Sequence, residues 1–238
     1  MKNKKKVLIL GASSDIGLRI MRAYKKNNYD ILAHFNNGNK KFFKFTKENK
    51  IETLKFDFLK SNKKIEQFLK GKKLKKSDIF INALGYITNK TFVETKASDL
   101  EKIFKVNFYP SMILTQNLGI EMNKKKWGRI VNLGSIGVKF GGGLNNFPYA
   151  ISKFLLEFFP NQTNHWVKNN VLINTVRVGA TNTKLHLKLP SKNLKKRASL
   201  IPMKRFATTD EIAEFIFFLG SDQNTYISNQ VLSISGGE

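Results

Sequence analysis

The sequence predicts a doubly wound α/β fold, with a parallel sheet of about seven strands covered by helices on both faces. Two observations lead there. Short runs of Val, Ile, Leu and Phe alternate along the chain with longer stretches of helical periodicity. A Gly/Ser-rich turn, Gly11–Gly17, joins the first apolar run to the first helical stretch. The chain has 238 residues and no cysteine. That length buries a full core without disulfides or a structural metal. The expected organisation is a single domain over residues 1–238.

The elements follow in order. Val7–Leu10 reads as a buried strand and Ile16–Asn27 as the helix after the turn, its apolar residues Ile16, Ile20, Ala23 and Tyr24 falling close to one face. Ile31–Phe35 is a second strand, and Thr53–Phe56 a third that ends at Asp57. Ile65–Leu69 gives a short helix and Asp78–Asn82 a fourth strand. Ser98–Met122 reads as one long helix, with Ser98 as N-cap and Glu101 completing a capping box. Arg129–Leu133 is a fifth strand, and Tyr149–Val167 a helix interrupted by Pro160. Val171–Val176, Asp210–Leu219 and Val231–Ile234 complete the alternation as strand, helix and strand. Thr183–Pro202 is the least regular stretch, a basic, Pro-punctuated insertion.

Composition excludes several functions. Without cysteine there is no thiolate zinc site, iron–sulfur cluster or cysteine nucleophile. His34, His165 and His186 lie too far apart in sequence to suggest a metal site. No apolar run reaches the length of a membrane span, and the Lys4–Leu10 segment lacks the cleavage-like end of a signal peptide, so a cytoplasmic protein is expected. The chain carries 42 Lys and Arg against 17 Asp and Glu, a formal charge of +25. Only six of the 42 are arginines, the residue that reads phosphates and bases in bidentate fashion. The lysines come with abundant Asn, Ile and Phe, a bias that A/T-rich codons also produce. No nucleic-acid partner is expected, although a lysine-rich nucleic-acid binder stays an alternative.

Three motifs carry chemistry. In Gly11-Ala12-Ser13-Ser14-Asp15-Ile16-Gly17, glycines let a pyrophosphate approach the backbone, and the helix start offers free N–H groups. Tyr149 and Lys153 stand four apart and share a helix face, where an ammonium lowers a phenol's pKa toward working pH. Ser135 ends the upstream segment Gly128–Ser135. In this order the sequence resembles the short-chain dehydrogenase/reductase family over Lys4–Gly237, and within it the 3-oxoacyl-acyl-carrier-protein reductases. The resemblance implies a Rossmann fold.

It also implies roles. Gly11, Ser13, Ser14, Ile16 and Gly17 match the family's glycine motif, with Asp15 in place of its middle glycine and available as a helix cap. Asp57 matches an adenine-binding residue, and Asn82–Gly85 resembles the family's Asn-Asn-Ala-Gly segment, contributing Asn82 and Gly85 to the cofactor set. Asn107, Ser135, Tyr149 and Lys153 match the catalytic residues. Tyr149 is then the proton donor in reduction, Lys153 its pKa-lowering partner and a ribose ligand, Ser135 the substrate hydrogen bond, and Asn107 the holder of a water leading to Lys153. Gly179 and Thr183 match positions bordering the nicotinamide and pyrophosphate, with Val178 where proline is usual.

An acidic residue ending the second strand would bind a ribose 2′-hydroxyl. Here His34-Phe35-Asn36-Asn37 holds no carboxylate and Lys40 and Lys41 follow, so NADP(H) is expected over NAD(H), with Asn36 in the ribose pocket. Lys40 and Lys41 read equally well as solvated loop lysines.

For substrate, a lid at about residues 183–202 carries Lys184, Lys188, Lys192, Lys195, Lys196 and Arg197, which suits an anionic or carrier-linked carbonyl compound. A 3-oxoacyl thioester is the leading candidate and a sugar or sugar-nucleotide the alternative. A non-catalytic dinucleotide sensor is the reading from a different class. The family resemblance implies a homodimer or homotetramer, with Pro160 falling in the helix that commonly packs between subunits.

Overall fold

The structure, a computed structural model, describes residues 4–184 and 194–238. Seven strands form one sheet: β1 (Lys6–Leu10), β2 (Asp30–Phe35), β3 (Glu52–Lys55), β4 (Ile79–Asn82), β5 (Gly128–Leu133), β6 (Val171–Val178) and β7 (Gln230–Ile234). All pairings are parallel, in the order β3-β2-β1-β4-β5-β6-β7. The doubly wound architecture is therefore as the sequence predicts.

The continuous apolar run Val7–Leu10 has a simple cause. Val7 and Ile9 join one core with Ile20, Tyr24 and Ile216. Leu8 and Leu10 join the other with Phe80, Leu114 and Leu118. A strand buried on both faces has no place for polar alternation.

The helices are α1 (Asp15–Lys26), α2 (Lys40–Glu48), α3 (Asn62–Leu69), α4 (Lys72–Lys75), α5 (Ala97–Asn107), α6 (Tyr109–Lys125), α7 (Phe147–Phe154), α8 (Gln162–Val167), α9 (Leu194–Leu200) and α10 (Thr209–Leu219). Short 3₁₀ turns cover Ile136–Phe140 and Leu155–Glu157. No helix among the described residues is long and apolar enough to cross a membrane.

Several expectations need correction. The long helix is two: it breaks at Phe108, whose ψ of −56° pairs with a φ of −116°. Pro110 sits in the first turn of α6, and having no N–H it cannot continue the ladder from α5. The start of α5 also differs, since Lys96 takes the N-cap position and the Asp99 carboxylate accepts its backbone N–H at 3.1 Å. Ser98 and Glu101 play no capping part there.

The helix beginning near Tyr149 does not run to Val167 either. Its α-helical part ends at Phe154, and Phe158 is extended. Pro160 would clash with a helical carbonyl at Leu156, so it separates α7 from α8 where a kinked continuous helix was expected. Lys40 and Lys41 open α2 and are not loop lysines, and Leu194–Leu200 is helical within the stretch expected to be irregular.

The strand order reverses between β1 and β4, which places a crevice at their C-terminal ends. Register brings Leu10 beside Asn82, Asn82 beside Asn132, and Asn132 beside Thr175. The turns leaving β1, β4, β5 and β6 therefore emerge side by side. At Gly11 the backbone has φ +73°, and an added Cβ would lie 2.6 Å from the Ala83 oxygen. Only glycine lets the two turns approach this closely.

His34 supports that turn from below. Gly11 N–H donates to its Nδ1 at 3.3 Å, and its Nε2 lies 3.0 Å from the Phe56 carbonyl oxygen, a pattern that assigns the proton to Nε2. Burial draws the imidazole down to about 4. The unfolded histidine takes up its proton near 6.5, so the stabilisation is complete above that pH and disappears as pH falls toward 4. Urea unfolding at pH 7.0 and 4.5 should show an acid loss of stability, up to about 3 kcal/mol from this group. In His34→Gln that component should vanish.

Candidate active site

The crevice opens into a cavity of about 880 Å³, within the range of pockets that enclose a small molecule. Of the residues singled out from sequence, Ser13, Ser14, Ile16, Gly85, Ser135, Tyr149, Lys153, Gly179 and Thr183 line it. Gly11, Gly17, Asn36, Asp57, Asn82 and Asn107 are not among its lining residues.

At one end stands the N-terminus of α1. Ser14 caps it, its Oγ accepting the Gly17 N–H at 3.0 Å. Asp15, a possible cap by sequence, instead sits in the first turn. Its Oδ2 accepts the backbone N–H of Lys184 at 2.8 Å, across the crevice. Beside them the Ser13 hydroxyl donates to the Asn37 carbonyl at 2.9 Å. Asn39 lines the cavity and caps α2, accepting the Phe42 N–H at 3.0 Å. Asn39 is missed by the sequence reading, although Phe42, Phe45 and Thr46 behind it carry the spacing of one helix face.

Asn82 is wholly buried at the end of β4. Its Oδ1 accepts the Leu84 N–H at 3.3 Å and so shapes the Ala83–Gly85 turn. Asp57 accepts the Leu59 N–H at 2.9 Å, closing a turn of its own just past β3.

At the other end Lys153 is buried. Its Nζ donates to the carbonyl oxygens of Leu84 at 2.8 Å and Leu133 at 2.6 Å. Burial draws the ammonium down to about 7. Its Nζ stands 5.7 Å from the centroid of the Tyr149 ring. The phenol is pushed up to about 12 by burial, with a hydrogen bond from the Ser135 side chain acting in the opposite sense. The net position of the phenol is therefore above its ordinary value and not below it. Desolvation outweighs attraction at this separation, and the same desolvation weakens the lysine's own charge.

Asn107 is fully buried at the last position of α5. Its Oδ1 accepts the Tyr86 N–H at 2.8 Å, while its Nδ2 donates to the Tyr86 carbonyl and the Ser152 hydroxyl, both at 2.9 Å. Ser152 in turn donates to the Tyr149 carbonyl at 2.8 Å. The amide thus ties the turn after β4 to the helix bearing Tyr149 and Lys153. Ser152 is a positioning residue that sequence left unmarked.

Within the expected lid, Lys188 and Lys192 lie outside the described residues, as does His186. Arg197 lines the cavity and pairs with Glu238 at 2.5 Å, so its charge is already opposed.

Comparisons with known proteins bear on the family and the fold. The family described as "Enoyl-(Acyl carrier protein) reductase" matches residues 11–238. The chain belongs to the short-chain dehydrogenase/reductase family. It is an oxidoreductase of that family. A 3-oxoacyl-[acyl-carrier-protein] reductase of Aquifex aeolicus is 33% identical over 67% of this chain, a match spanning 64% of that protein. One from Buchnera aphidicola subsp. Schizaphis graminum is 28% identical over 98% of this chain and 97% of its own. The solved structure of ElxO with NADP bound is 26% identical and superposes with a TM-score of 0.82 over 98% of each chain.

Asn107→Ala would strip partners from both backbone groups of Tyr86. Leaving buried polar groups unpaired costs about 2–3 kcal/mol. Urea unfolding of this short-chain dehydrogenase/reductase should shift accordingly.

Proposed function

We propose that the protein reduces the carbonyl of a 3-oxoacyl thioester, or a closely similar carrier-linked substrate, with NADPH. The observation that carries this reading is the convergence of Tyr149, Ser135 and Lys153 on one wall of a cavity whose far end is the start of α1.

The residues fit a dinucleotide. Gly11 and Gly17 leave the turn without side-chain bulk: a Cβ at Gly17 would lie 2.4 Å from the Gly11 oxygen. The first turn of α1 offers N–H groups and a positive dipole end to a diphosphate. No carboxylate ends β2, and the α2 N-terminus with Asn39 and Lys40 favours a 2′-phosphate over a free hydroxyl. This supports NADPH, with Asn36 at the ribose. Gly85, Gly179 and Thr183 border the cofactor in this reading, Asn82 acts through the turn it shapes, and Asp57 faces adenine.

When bound, the nicotinamide supplies the hydride. The chain's own residues handle the proton. Tyr149, held as a neutral phenol by its raised pKa, donates its proton to the substrate oxygen as negative charge develops there. Ser135 donates a hydrogen bond to the same oxygen. Its Oγ is oriented by accepting the Gly137 N–H at 3.2 Å. Lys153 has used two of its three N–H donors on carbonyls, leaving one for the ribose. In its ammonium form it stabilises the phenolate left behind. Asn107 holds Tyr149 in place through Ser152.

The Aquifex and Buchnera relatives, both 3-oxoacyl-[acyl-carrier-protein] reductases, support the acyl-carrier-protein substrate. Lys139 and Lys184 line the same cavity, a basic approach that suits a phosphorylated carrier arm. The whole chain acts as one domain, in the cytoplasm and as a homo-oligomer. Exposed Met112, Phe154 and Phe158 on α6, α7 and the segment after it support self-association.

The decisive experiment follows NADPH oxidation with acetoacetyl-CoA. Tyr149→Phe should lower kcat by at least about 10³-fold while the Kd for NADPH stays within about threefold, measured by fluorescence titration. Wild-type turnover in the variant would refute the assignment.

A further inference from the structure

Asp15 places a carboxylate in the first turn of α1, among the residues that line the cavity. The capping bond of that turn does not depend on it, since Ser14 caps the helix, and the Asp15 carboxylate accepts the Lys184 N–H, beyond the end of β6. We infer that Asp15 sets the affinity of the dinucleotide site by two opposed effects, repelling the bound diphosphate while holding the Thr183–Lys184 backbone against the glycine turn. The inference rests on the NADPH reading of the cavity.

Each effect has its physical basis. A diphosphate at the start of α1 brings negative charge to the same helix turn that carries Asp15. At separations of several ångströms in a partly solvated cleft, like charges disfavour binding about 3- to 10-fold, and salt weakens the effect. Against this, the Lys184 N–H gains a charged acceptor, stronger than a neutral one. The bond crosses 169 positions of sequence, so it fastens the β6 side of the crevice to the β1 side. Thr183, next to Lys184, lines the cavity, and its position depends on this fastening.

Two substitutions separate the effects. Asp15→Asn keeps an oxygen acceptor for Lys184 and removes the charge. Asp15→Ala removes both. NADPH titration by fluorescence in 20 mM and 300 mM salt should show Asp15→Asn binding about 3- to 10-fold tighter than wild type at low salt, with the gap narrowing at high salt. Hydrogen exchange should show the Lys184 amide protected in wild type and Asp15→Asn, and rapidly exchanging in Asp15→Ala.

If wild type binds NADPH and Asp15→Asn binds equally or more weakly, the inference is overturned and the cofactor reading stands. An unprotected Lys184 amide in wild type overturns the fastening. If wild type fails to bind and Asp15→Asn binds, the repulsion is upheld in its strongest form. If neither binds, the cofactor reading falls and this inference with it.

Discussion

An ammonium group taken out of water without a carboxylate partner is costly, and the crevice is organised around one that is tolerated. Lys153 is held by two carbonyl oxygens, from Leu84 after β4 and Leu133 at the end of β5. Neither oxygen carries a full charge, which is why burial still draws the lysine down to about 7. A carboxylate in their place would keep the ammonium charged and occupied. Two carbonyls orient it and leave its charge responsive to what enters the cleft. The bonds also pin α7 to the exits of two adjacent strands, so the place of Tyr149 follows from the sheet.

The rest of the site extends that anchoring. Asn107 ends α5 where the helix breaks before Pro110, and the break frees its amide to face the turn after β4. From there the chain of hydrogen bonds runs through Ser152 to the carbonyl of Tyr149 itself. Tyr86, Asn107, Ser152 and Tyr149 are thus joined in one hydrogen-bonded chain. Buried polar networks of this kind position groups well because every member has a partner, and they are unforgiving when one is lost.

The strands were legible because burial on both faces writes itself as unbroken apolar runs, and the glycine turn because close backbone approach admits so few residues. Strand boundaries drifted by one or two residues, as local patterns allow, and α3 begins three residues before the stretch the apolar pattern marked. The helix joining α5 to α6 misled because the apolar periodicity passes through Phe108 without interruption, and the proline that breaks it sits inside the pattern. α2 was hidden by its lysines: six of its nine positions are Lys, Thr or Glu, and only the aromatic face betrays it. The tyrosine's pKa was misjudged for a different reason. Sequence spacing shows that Lys153 and Tyr149 are neighbours but says nothing of desolvation, and desolvation decides the sign. His34 and Ser152 carry no pattern at all, since their importance lies in partners 23 and 45 positions away in the chain.

Net charge is a poor guide to the field inside the cleft. The chain as a whole carries +25, yet the cavity wall sets Asp15 and Glu238 among Lys139, Lys184 and Arg197. Glu238 opposes Arg197 directly, whereas Asp15 engages the backbone amide of Lys184. On the proposed reading of the cleft, Asp15 lowers diphosphate affinity where binding occurs without reducing the long-range attraction of a +25 chain, because attraction at a distance follows the summed charge and affinity follows the nearest groups. A lysine-rich exterior and an acidic residue in the glycine turn are then compatible features of one binding site, each acting at its own range.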